Sequence, residues 1–72
     1  MDKALATKLI EQCRRIDDTL SVATALAAEI ADDEERKRYL RAIADIIADV
    51  FVTLIRPIVK EYPELDPDRE QR

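Results

Sequence analysis

Ala31-Asp32-Asp33-Glu34-Glu35-Arg36-Lys37-Arg38 decides the fold of this chain. Seven of these eight residues are charged and consecutive, so two helical turns would carry no apolar face. Such a stretch is hard to place inside one packed helix. It reads well as the start of a second one. Asp32 and Glu35 have the spacing of a capping box, with Asp in place of Ser or Thr. Carboxylates at a helix N-terminus also meet the positive end of the backbone dipole. Asp32–Arg36, Asp33–Lys37 and Glu34–Arg38 then fall four residues apart, where opposite charges attract along a helix. The rival is a single helix through Asp33, since neither Gly nor Pro interrupts the chain before Pro57.

Upstream of the charged run, Leu9, Ile16, Ala23 and Ile30 recur every seven residues, and so do Ala6, Cys13, Leu20 and Ala27. Together they form the apolar seam of a helix spanning about residues 2–31, roughly 45 Å long. Ile10, Val22 and Leu26 lie off this seam, with Ile10 isolated. Downstream, Leu40, Ile43, Ile47, Val50 and Leu54 carry the next seam, flanked by Ala44, Phe51 and Ile58 and by Tyr39 and Ile46. These positions cover close to half the circumference of a helix over about residues 33–62. One neighbouring helix covers a stripe of only about 100°. Pro57 interrupts that helix, but apolar spacing continues across it, which predicts a kink near Pro57. Residues 63–72 are polar with two prolines and read as a mobile tail.

The chain has 72 residues, no Gly and no Asn, while Ala, Leu and Arg are plentiful. Tight strand hairpins want Gly or Asn at positive φ, so an all-α fold follows. The expected architecture is an antiparallel two-helix hairpin over 1–62 that dimerises into a four-helix bundle. Size points the same way. A chain this short hides only about 60% of its extended surface. One Cys and no His leave neither an internal disulfide nor the usual zinc site to compensate. Burial shared with a second copy is the remaining source. The expected core and dimer interface comprises Leu9, Ile16, Leu20, Ile30, Leu40, Ile43, Ile47, Val50, Phe51, Leu54 and Ile58.

The same composition bounds the chemistry. Cys13 has no His to generate its thiolate, so it reads as a small apolar seam residue. Phosphate cradling by a Gly-rich loop is excluded. Asp45 and Asp49 share a helix face, but one pointing away from Ile43, Ile47 and Val50. Asp17 and Asp18 are neighbours, which diverge by about 100° on a helix. All-α nucleotide pyrophosphohydrolases pair a Glu-x-x-Glu with a Glu-x-x-Asp, and only Glu29-Ile30-Ala31-Asp32 matches half of that pattern. A carboxylate-metal hydrolase is therefore the remotest alternative, and neither catalysis nor a cofactor is expected.

A nucleic-acid regulator would use Arg36, Lys37, Arg38 and Arg41. Four acids precede that cluster, the whole chain carries −4, and no aromatics interleave for base stacking, so this is a second choice. No run of about 18 apolar residues would span a membrane, and the mixed charge of the second helix disfavours surface binding. A lone thiol and no visible signal segment predict the reducing cytosol. The expected function is a small non-catalytic adaptor or regulator acting as a homodimer. A protein partner would be met on Arg36, Lys37, Arg38, Arg41, Tyr62 or Leu65, with Leu65 anchoring a linear motif.

Overall fold

A computed structural model of the chain describes residues 1–66. The described chain is all-helical. Helix α1 runs Lys3–Ala27 and helix α2 runs Asp33–Val50. A π-helical segment, Phe51–Ile55, continues α2 directly into α3, Arg56–Glu61, and a 3-10 turn follows at Pro63–Leu65. The two arms pack antiparallel, with Ala6, Ile10 and Cys13 of α1 against Ile55 and Ile58 of the second arm. The radius of gyration, 14.8 Å, exceeds the roughly 11 Å of a compact domain of this length, as a rod two helices wide requires.

Helices α1 and α2 each start where the sequence offers an acceptor. The Asp2 carboxylate accepts from the Leu5 amide at 2.8 Å, and Asp32 accepts from the Glu35 amide at 2.9 Å. Each satisfies an amide that has no partner within the helix. Asp33, Glu34 and Glu35 occupy the first turn of α2, where the dipole favours them.

Helix α1 stops at Ala27, four residues before the boundary expected from the seam. The reason lies in the turn. Asp32 must be extended to cap α2, so the reversal consumes the residues before it. The chain tightens through Glu29 N–H to Leu26 O at 3.0 Å and Ile30 N–H to Ala27 O at 3.1 Å. The Arg36 guanidinium then reaches back and donates to the Ile30 carbonyl at 3.1 Å, while pairing with the Asp33 carboxylate. Arg36 thus pairs three residues back with Asp33, not four residues back with Asp32. The charged run staples the turn.

Pro57 produces a wider helical turn in place of a simple kink. In an α-helix its ring would collide with the Thr53 carbonyl and its nitrogen could not donate. The preceding turn opens, and Arg56 N–H bonds Phe51 O, five residues back. The Thr53 hydroxyl, inside this segment, donates to the carbonyl of Asp49 in α2. Pro57 then lies in the first turn of α3, where a missing N–H is harmless.

The extra residue shifts the register. An unbroken helix would place Leu54, seven residues after Ile47, on the seam. Instead Ile55 fills that place at 3% exposure, and Leu54 is turned out at 39%. The inter-arm core therefore differs from the expected one. Ile10, expected to be isolated, is a core residue at 6% exposure, and Ala6, Cys13, Ala27, Ile55 and Ile58 are buried with it. Leu20, Ile30, Leu40, Ile43, Ile47 and Val50 are half-buried, and Leu9, Ile16, Phe51 and Leu54 stand on the surface of the hairpin.

The first residues of the expected tail, 63–66, lie against the hairpin. Leu65 and Tyr62 pack against the core cluster, and the Tyr62 hydroxyl donates to the Met1 carbonyl at 2.8 Å. Lys3 Nζ lies 3.8 Å from Glu64 Oε1. Leu65 is thus a clasp on the open end of the hairpin, not a projecting anchor. The remainder of the expected tail, 67–72, lies outside the described residues.

Candidate functional site

The inter-arm core is thin. Three of its buried side chains are large, Ile10, Ile55 and Ile58, each contributing about 1.5–3 kcal/mol by burial. The seam also holds Asp17 and Thr24, both half-buried. Thr24 settles its hydroxyl on the Leu20 carbonyl at 2.9 Å. One Asp17 carboxylate oxygen, Oδ1, is buried with no hydrogen-bond partner among the described residues. Asp17 is thus drawn into the seam, while its neighbour Asp18 is exposed. Cys13 is buried one turn away, and burial first, then the Asp17 charge, pushes its thiol pKa up. Both effects hold it as an inert thiol.

Most large apolar side chains lie outside this core. Leu5, Leu9 and Ile16 of α1 are exposed, as are Tyr39, Ile46 and Leu54 of the second arm. Each of the six directly precedes a seam residue: Ala6, Ile10, Asp17, Leu40, Ile47 and Ile55. One residue is about 100° of rotation, so each stripe is displaced from its seam in the same rotational sense. The arms run antiparallel, which makes equal rotations point to the same side of the pair. Both stripes therefore form one face of the hairpin. The widened turn before Pro57 completes it, because that turn brings Leu54 into line with Ile46 and Tyr39.

The opposite side of α1, given by the residues that follow seam positions, is Thr7, Glu11, Arg14 and Asp18, all exposed and polar. Val22 and Leu26 are exposed on the outer side of α1, away from the seam. Phe51 and Val52 are exposed where the second arm widens, on its other flank.

Comparison with known proteins finds no matching family model, curated protein or solved structure. The functional reading therefore rests on the hairpin's own surface.

Arg36 is engaged at the turn, and Arg38 sits 5.4 Å over the ring of its neighbour Tyr39, a cation–π distance. Lys37 and Arg41 are exposed. Asp45 and Asp49 are exposed on the outer side of α2, and Glu29 lies in the turn. Among the described residues, no three His, Cys, Asp or Glu side chains gather closely enough to hold a metal ion. No helix among them is long and apolar enough to cross a membrane. Sequence spacing had included Leu9, Ile16 and Leu54 in the apolar set. It had missed the division of that set between a seam and a separate face.

Proposed function

We propose that this chain is a small non-catalytic interaction protein, an adaptor or regulator of the cytosol. It acts as a homodimer in which two hairpins form a four-helix bundle. The observation that carries this reading is the single apolar face made by Leu5, Leu9, Ile16, Tyr39, Ile46 and Leu54, exposed by 36–54%. Gln12 and Asp49 interrupt the face, yet six large apolar side chains gathered on one side are more than a monomer usually leaves in water. Its size suits a second helical pair. An arm of 25 residues is about 37 Å long and two helices are about 20 Å wide, an outline onto which a second helical pair of the same dimensions fits. Burial of this face would supply what the thin inter-arm core lacks.

Sedimentation equilibrium tests the reading. The expected result is a dimer at micromolar concentration, with a thermal midpoint that rises with protein concentration because association is linked to folding. A monomer with a concentration-independent midpoint overturns it.

A further inference from the structure

We infer that the two copies pack face to face with their turns at the same end, each α1 lying on the second arm of its partner. This inference rests on the proposed homodimer and specifies its geometry. Two symmetric arrangements bring the apolar faces together. A two-fold axis parallel to the helices keeps both turns at one end and stacks α1 on the partner's second arm. A two-fold axis perpendicular to the helices sends the turns to opposite ends, stacking α1 on α1 and second arm on second arm. Both bury the same six side chains, so apolar area does not choose between them.

The charges beside the face do choose. On α1 the residues preceding Leu9 and Ile16 are Lys8 and Arg15, both exposed. On the second arm, Asp45 precedes Ile46 and Asp49 lies one turn on, both exposed. Arg38, which precedes Tyr39, is held over that ring. Lys8 and Arg15 thus place two bases on the outer side of α1, with Glu11 between them turned toward its opposite side, and Asp45 and Asp49 place two acids on the outer side of α2. Level positions follow from the core, where Ala6 and Ile10 meet Ile55 and Ile58, and from the Tyr62–Met1 bond. Counting inward from these contacts puts Arg15 level with the turn Asp45–Asp49.

With the turns at one end, Arg15 of each copy therefore faces the Asp45–Asp49 rim of the other. With the turns at opposite ends, the two-fold passes near the middle of each arm. Arg15 then meets its own counterpart, and Asp45 meets Asp49 across the second contact. Complementary rims favour one register, and juxtaposed like charges penalise the other. The small Ala23 also comes level with Tyr39 and Ala42 in the same-end arrangement, leaving room for the ring.

Spin labels at Ala31→Cys in a Cys13→Ala background test the geometry, because Ala31 lies in the exposed turn and Cys13 is the only other thiol. Turns at one end place the labels within about 25 Å, two helix diameters apart. Turns at opposite ends place them beyond about 40 Å, more than an arm's length. The first result supports the inference, and the second overturns it while leaving the homodimer intact. A monomer by sedimentation removes both. Charge reversal is an independent check that keeps the native thiol. Arg15→Glu should weaken the dimer several-fold, and adding Asp49→Arg in the same chain should restore it. A dimer indifferent to Arg15→Glu, or one not rescued by the second change, also overturns the same-end arrangement.

Discussion

The hydroxyl of Tyr62 donates to the carbonyl of Met1, joining residues at the two open ends of the hairpin. Burial raises the Tyr62 pKa above its ordinary value, and the neighbouring Glu61, Asp2 and Glu64 charges add to the shift. The protonated phenol is favoured in the folded state. Its contribution to stability is therefore complete below the unfolded tyrosine value of about 10 and is lost as pH rises through the higher folded value. In a Tyr39→Phe variant, ultraviolet titration of Tyr62 should show a midpoint above that of the same protein in urea. Equal midpoints would mean that the clasp is absent in solution.

Leu54 and Ile55 separate the two apolar surfaces at one peptide bond. Ile55→Ala empties a core position and should cost about 2–5 kcal/mol at every protein concentration. Leu54→Ala should leave the protomer nearly as stable and weaken the proposed dimer, so its loss of thermal midpoint should grow with protein concentration and vanish where both proteins are monomeric. Urea melts at several concentrations distinguish the two. An unbroken α-helix through Pro57 would reverse the pattern.

Much of this was legible in the sequence. The charged run 32–38 marked the reversal, and Asp32 marked the cap, because local electrostatics and an amide acceptor suffice for both. The all-helical fold followed from the absence of Gly and Asn. The division of the apolar residues did not follow. Two series of seven on α1 can each serve as a seam, and Ile10 beside Cys13 is recognised as core only when the partner arm is in place. On the second arm, heptad spacing carries Leu54 onto the seam unless the turn before Pro57 widens. The signal present in the sequence was Pro57 preceded by Leu54-Ile55, which lets either residue face inward.

The turn depends on one guanidinium. Arg36→Ala removes the donor to the Ile30 carbonyl and the partner of Asp33. With Asp33 mostly exposed, solvent screens the pair, so the expected loss is about 1 kcal/mol. Asp32→Ala should cost a similar amount, about 1 kcal/mol, through the lost cap. The two changes share a turn, and their sum should exceed the cost of the double variant. Chemical denaturation of the three proteins gives the comparison. Strict additivity would place the two residues in independent roles.

Asp17 is the one acid in the inter-arm seam whose buried Oδ1 has no hydrogen-bond partner among the described residues. A carboxylate oxygen removed from water without a partner costs about 1–3 kcal/mol, and the seam positions around it are apolar. Asp17→Leu should therefore raise stability by about that amount in urea melts. The same change removes the Asp17 charge beside Cys13, so the thiol pKa should fall, although burial, the larger cause, keeps it raised. Thiol alkylation followed against pH reads this second effect separately from stability. A lowered urea midpoint for Asp17→Leu would mean that the carboxylate oxygen is satisfied in solution and that its loss, not its burial, is what costs stability.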